Sequence, residues 1–301
     1  MLTDSIIGDV KHYFRYGNMV NRLIFVNIGV FLAVSIFHLI TWGSQSSTLS
    51  TLYDLVLQRL EAPASLSHIL QQPWSVFTYM FLHENLFHIL FNMLWLFWFG
   101  EIFVLYMGDK KVLPLYILGG LAGASMYVLV YNIIPVFRGS VDLSYMLGAS
   151  ASIYAIVFAA ATINPNHEIN LILIGPVRIK YIALISLLLD IISIPHGNAG
   201  GYIAHAGGAL SGFLYIKALQ SGYDFFAPFA AVYNGIANLF RPGRKVKVSY
   251  KNLQGTSTSA SKQRGKNEQE KVDEILDKIA RSGYDSLTKE EKDFLFHYSK
   301  K

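Results

Sequence analysis

The chain contains no cysteine, which excludes disulfides, thiolate metal sites and a cysteine nucleophile while leaving the compartment undecided. Charge is scarce as well. Only 15% of the 301 residues are Asp, Glu, Lys or Arg, 52% are hydrophobic and the mean hydropathy is +0.36, a balance too apolar for an ordinary soluble domain. No stripe of base-reading residues accompanies the net charge of +5, so the basic excess is assigned to membrane topology and not to a nucleic-acid partner. No small-residue cleavage pattern precedes the first long apolar run, so that run is expected to stay as a span. Clear inverted repeats of the transporter kind are also missing. What remains is a polytopic membrane protein in a lipid bilayer, whose chemistry must come from Ser, His, Tyr and carboxylates.

Six apolar stretches predict six spans. Leu23 to Trp42 is one, since roughly 20 residues at about 1.5 Å each cross a hydrocarbon core of about 30 Å. The others are Asn85 to Met107, Val112 to Val136, Met146 to Ile163, Tyr181 to Ile194 and Gly201 to Leu219. Residues 43–80 form a long connection in which Leu52, Leu55, Val56 and Leu60 recur at helical spacing before Pro73-Trp74, the pattern of an interfacial helix or of a loop packed on the protein's own surface. Ile169 to Ile174 reads as a short extended segment. Basic residues gather at Lys11, Arg15 and Arg22, at Lys110 and Lys111, at Arg178 and Lys180 and after the sixth span, whereas the alternate loops hold only Arg59 and Arg138. This asymmetry places both termini in the cytoplasm, with a bacterial inner membrane as the expected location.

The expected organisation is therefore a cytoplasmic segment 1–22, a six-span core 23–222, an apolar extension 223–240, a basic linker 241–267 and a helical hairpin 268–301. From Arg241 to Lys266 there are eight basic residues and no acidic ones, a composition suited to a flexible linker near an anionic leaflet. Val272, Ile275, Leu276 and Ile279 then make one helical stripe, Gly283 stops it, and Thr288 to Glu291 has capping-box spacing. This hairpin either recruits an unknown cytoplasmic partner or stands as an unattached solvated helix pair.

Three polar constellations enter the spans, where polar groups are functional candidates by default. His83 and His88 are five apart, about 140° around a helix, so the two do not share a face as zinc-protease histidines must. His88 and Asn92 are four apart and do share one. Gly148-Ala149-Ser150-Ala151 puts a hydroxyl among small residues, with Tyr154 on the same face. In the sixth span His205 stands beside a small-residue ridge of Ala204, Gly208 and Gly212, which lets that helix approach a neighbour closely. Taken singly, Ser150 reads as a packing serine and His205 as a satisfied structural histidine. Together they allow a serine–histidine dyad. Asp190 and Glu101 look isolated.

In this order and on the second, fourth and sixth spans, His83, His88 and Asn92, then Gly148-Ala149-Ser150, then Ala204-His205 with Gly208 and Gly212 resemble the rhomboid family of intramembrane serine proteases over roughly residues 20–220. The resemblance implies an all-α, six-transmembrane-helix bundle that needs no cofactor and cuts transmembrane protein substrates. It makes Ser150 the nucleophile and His205 its general base with no third acidic member. His88, Asn92 and the Ser150 backbone N–H then hold the oxyanion, and the Tyr154 ring supports the imidazole. The chain departs from the family pattern at Ala151, where Gly is usual, at Trp74-Ser75 in place of Trp-Arg, and at Val104, where a Glu is common. A protein that has lost activity and binds membrane clients is the alternative that Ala151 favours. Ser152 is the competing hydroxyl, about 200° away from Ser150 on the helix.

Overall fold

The structure, a computed structural model, describes residues 8, 14, 16–171, 174–224 and 259–298. The expected extension from 225 to 240, the linker from 241 to 258 and most of the N-terminal segment lie outside the described residues. The chain divides into two compact units, Met1–Gly235 and Ile236–Lys301.

The first unit is mostly helical. Helices α1 (Met19–Ser44), α5 (Leu86–Met107), α6 (Val112–Ile133), α7 (Ser150–Ile163), α8 (Ile179–Ser193) and α9 (Ala199–Gln220) stand at the six apolar stretches. Among the described residues four segments, Met19–Ser44, Leu86–Met107, Asp109–Ile133 and Ile179–His196, are long and apolar enough to cross a membrane. Their outward faces carry large apolar side chains, among them Leu32, Ile36 and Leu39 of α1 and Leu184, Leu188 and Ile192 of α8, all exposed. Lipid is the solvent that makes such a surface stable.

The short helix α7 is the centre of the unit, with ten of its 14 residues buried. A helix apolar on every side belongs inside other helices, and α7 packs on α6, α9 and α5. The approach of α9 is backbone to backbone. A Cβ on Gly208 would strike the Ala151 carbonyl oxygen and one on Gly212 the Ala155 carbonyl oxygen. Because the obstacle is main chain and not a movable side chain, Gly208→Val is expected to cost more than about 3 kcal/mol, read as a large fall in the unfolding midpoint in detergent. A variant with an unchanged midpoint would mean that α9 can retreat from α7.

The long connection is built, not loose. It contains α2 (Ser47–Leu60), the two-residue strand β1 (Ala62–Pro63), α3 (Leu66–Gln71) and α4 (Ser75–Thr78). Leu52, Leu55 and Val56 of α2 are exposed, as are Leu66, Leu70, Trp74 and Phe77 beyond it, the composition of an interfacial surface. Strand β1 pairs antiparallel with β2 (Tyr145–Met146), and Ala64 N–H donates to Ser144 O at 2.9 Å. The Tyr79 hydroxyl donates to Gly120 O at 2.6 Å and the Tyr116 hydroxyl to Met80 O at 2.8 Å. These buried bonds fix the connection to α6.

Some expectations change. The fourth span was expected from Met146, yet Tyr145–Met146 is a strand and α7 begins only at Ser150. Gly148 is the cause. Its φ of +131° is open to glycine and closed to helix, and its N–H is taken by Tyr79 O at 2.9 Å. The segment after α7 is a hairpin of β3 (Glu168–Leu171) and β4 (Gly175–Arg178), so the core is not purely helical. Glu101 is not isolated, because it accepts a hydrogen bond from Asn18 Nδ2 at 2.7 Å.

In the second unit, α10 (Ser259–Ser282) and α11 (Lys289–Tyr298) flank a turn at Tyr284–Ser286. Residues 259–267, expected as linker, are helical because Ala260, Lys262, Gln263, Arg264 and Lys266 are good helix formers even where acidic partners are missing. Val272 and Ile275 are buried, whereas Leu276 is exposed. Thr288 N–H donates to Glu291 Oε2 at 2.7 Å and Glu291 N–H to Thr288 Oγ1 at 3.4 Å, a reciprocal capping box.

Candidate active site

Four helices bring one polar end each to a cavity of about 560 Å³ lined by His88, Asn92, Ser150, Tyr154, Asp190 and His205, among others. Ser150 is the first residue of α7. The first N–H groups of a helix have no intrahelical acceptor, and with the macrodipole they make its start a place for negative charge. The expected position inside a span would have offered no such donors.

The hydroxyl meets a base. Ser150 Oγ lies 2.6 Å from His205 Nε2 across the α7–α9 contact, the distance that the glycine ridge makes possible. The Tyr154 ring stacks on the imidazole with centroids 4.3 Å apart and planes 15° from parallel, and Trp95 lies nearly parallel to Tyr154 at 6.2 Å. The ring of His205 is thereby held in plane. Ser152 is elsewhere: it is fully buried, and its Cα would stand 3.0 Å from a Cβ on Gly119 of α6.

The opposite wall supplies donors. Asn85 caps α5 by accepting from His88 N–H at 2.9 Å. Glu84 N–H donates to His88 Nδ1 at 3.4 Å, which leaves the proton of a neutral imidazole on Nε2. That Nε2 reaches the Gly148–Ser150 turn, since a Cβ on Gly148 would lie 3.0 Å from it and 3.6 Å from Ser150 Oγ. Asn92 Nδ2 donates to His88 O at 3.0 Å, and its second amide hydrogen remains for a ligand. His83 is buried, edge-on to His88 with centroids 5.1 Å apart, and does not line this cavity.

Two findings were missed in the sequence. His205 Nδ1 is 2.8 Å from Asp190 Oδ2, so the expectation of an isolated Asp190 and of a histidine without an acidic neighbour is corrected. The signal was there: Asp190 is the one carboxylate in an apolar helix, and such a residue is a functional candidate by default. The second concerns Ala151. Its methyl faces α6, where a Cβ on Gly123 would lie 2.6 Å from it, so the added carbon is absorbed by packing and not by the cavity.

A second cavity of about 280 Å³ shares Glu84 and Leu147 with the first and is walled by Glu61, Tyr53, His38 and His83 as well. Burial, and to a lesser degree the Glu84 carboxylate, raises the Glu61 carboxyl from its ordinary 4.5 to about 7. The folded protein then binds this proton more tightly than the unfolded chain. The stability linked to it is complete below about pH 4.5 and is lost as pH rises through about 7. The unfolding midpoint in detergent is accordingly expected to fall more steeply between about pH 5 and pH 8 in the wild type than in Glu61→Gln. Equal slopes would show that Glu61 titrates as a solvated carboxyl.

Residues 70–221 match the Rhomboid domain family, a range that holds every residue of the first cavity. Residues 261–301 match a family of unknown function (DUF6576). The RHOMBOID-like protein 12, mitochondrial, of Arabidopsis thaliana is 26% identical over 144 residues, which make up 45% of this chain and 43% of that protein. The match thus spans less than half the length of that relative.

Proposed function

The chain belongs to the rhomboid family, and from that premise we propose that this multi-pass membrane protein is an intramembrane serine endopeptidase using a Ser150–His205 dyad. The observation that carries the reading is the 2.6 Å contact between Ser150 Oγ and His205 Nε2 at the mouth of a helix N-terminus. Ser150 attacks the scissile carbonyl as His205 takes its proton. His88 Nε2–H, the Asn92 amide and the Ser150 N–H receive the charge on the oxygen. The imidazolium then returns its proton to the leaving nitrogen, and water frees the acyl group by the same route. Substrates are transmembrane segments with small or helix-breaking residues, because a peptide bonded within a helix cannot extend into the site.

With six spans and both termini in the cytoplasm, the starts of α5, α7 and α9 and the end of α8 fall on the outer side. Most of the cavity residues lie at or beside those ends, which fits the alternating course of the spans and gives water a way in from one side. An inactive client-binding protein is supported less well, since the Ala151 methyl turns to Gly123. Reaction with a fluorophosphonate tests the proposal. The expected adduct is on Ser150, located by mass spectrometry, and is absent in Ser150→Ala; an unreactive wild type, or an adduct on Ser152, would overturn it.

A further inference from the structure

On the serine-protease reading of this site, we infer that Asp190 is a positioning residue that turns the dyad into a triad. Its carboxylate accepts the His205 Nδ1–H at 2.8 Å, and both side chains are only 13% exposed. An ionised carboxylate can only accept, so the imidazole must carry its proton on Nδ1. Nε2 is then the lone-pair nitrogen that faces Ser150 Oγ. Without Asp190 the two tautomers compete, and in one of them Nε2 cannot act as base.

The placement of Asp190 is hard to explain as a plain helix feature. Its neighbours Leu188, Leu189, Ile191 and Ile192 are each more than half exposed, which marks α8 as a lipid-facing helix. Asp190 alone of this run is not exposed; it shares a face with Ser186 one turn earlier, and both line the cavity, with Leu189 at its edge. It also lies three residues from the end of α8 at Ser193, where the negative pole of the helix disfavours an acid. A carboxylate at membrane depth needs a partner. Two are present: His205 Nδ1–H and the Tyr154 hydroxyl, which meets Asp190 and Ser186. The same Tyr154 lays its ring on the imidazole, so Asp190 and Tyr154 hold His205 by edge and by face.

During acylation the Ser150 Oγ–carbon bond forms as the Oγ proton passes to His205 Nε2. Asp190 stays ionised and keeps the Nδ1–H hydrogen bond, now to a cation. The peptide C–N bond breaks as Nε2 gives its proton to the departing nitrogen, and the balance of charge is restored. Besides Asp190, the groups facing the imidazole are Ser150 and Tyr154 of α7, His88 of α5 and Tyr202 of its own helix. Asp190 is the one anion among them.

The test uses the purified full-length protein in detergent with a single-span substrate, comparing wild type with Asp190→Asn and Asp190→Glu. Asn keeps the shape and an acceptor, and so preserves any simple tie between α8 and α9. The expected result for Asp190→Asn is a loss of about 10²-fold in kcat with little change in KM. This is below the roughly 10⁴ lost when the orienting carboxylate of a Ser-His-Asp triad becomes an amide, because the Tyr154 ring also holds the imidazole here. Asp190→Glu is expected to recover at least about tenfold over Asn. Activity within about threefold of wild type in Asp190→Asn, a loss that falls on KM and not on kcat, or a loss with no recovery in Asp190→Glu, would overturn the inference while leaving the dyad in place. A wild type that neither cleaves nor labels overturns the protease reading and the triad with it.

Discussion

Ser150→Ala and His205→Ala are each expected to lower kcat for a single-span substrate by at least about 10⁴-fold, and the double variant no further. The reason is the 2.6 Å contact between Ser150 Oγ and His205 Nε2. Neither atom does its work without the other, since a serine hydroxyl is a poor nucleophile until a base takes its proton. Packing serines and structural histidines behave differently: their losses add, and they fall on stability. Ser150 Oγ opens on the cavity, and its removal leaves α7 packed as before, so the unfolding midpoint of Ser150→Ala should stay close to that of the wild type. Additive losses, or a large fall in the midpoint with activity retained per folded molecule, would return Ser150 to the packing role its small neighbours suggest.

The next largest effect is expected at the opposite wall. Removing an oxyanion donor from a preorganised site costs on the order of 10²–10³ in kcat, and His88→Ala and Asn92→Ala are each expected to show such a loss with KM little changed. Glu84 N–H on His88 Nδ1 fixes the donor tautomer, and the Asn92 amide is anchored on His88 O, so both groups are aimed before substrate arrives. A rise in KM with kcat unchanged would mean that they bind substrate and transition state equally, and would remove them from the oxyanion role.

Hydropathy alone located the apolar helices, because length and composition carry that signal and the ends of α1, α5 and α8 fall within a few residues of the expected ones. His88 and Asn92 were legible from their four-residue spacing. The separation of 55 positions from Ser150 to His205 was bridged by the Gly208 and Gly212 ridge, whose meaning is local and whose partner is not. The start of α7 was beyond reach, since it depends on β1 pairing with β2 and on Tyr79 O holding Gly148 N–H, contacts that link distant parts of the chain. Asp190 was misread for a similar reason. It has no charged neighbour along the sequence, and only the fold brings α8 against α9. Ala151 and Gly123 show the same limit from the other side: a departure that looks costly in one helix is balanced by a glycine in another.

The central claim is that this site cuts peptide bonds within the membrane, and cleavage of a single-span substrate in proteoliposomes tests it most directly. The wild type should yield two fragments whose new ends lie in or beside the substrate's transmembrane segment, and Ser150→Ala should yield none. Intact substrate with the wild type, or identical fragments from Ser150→Ala, would contradict it.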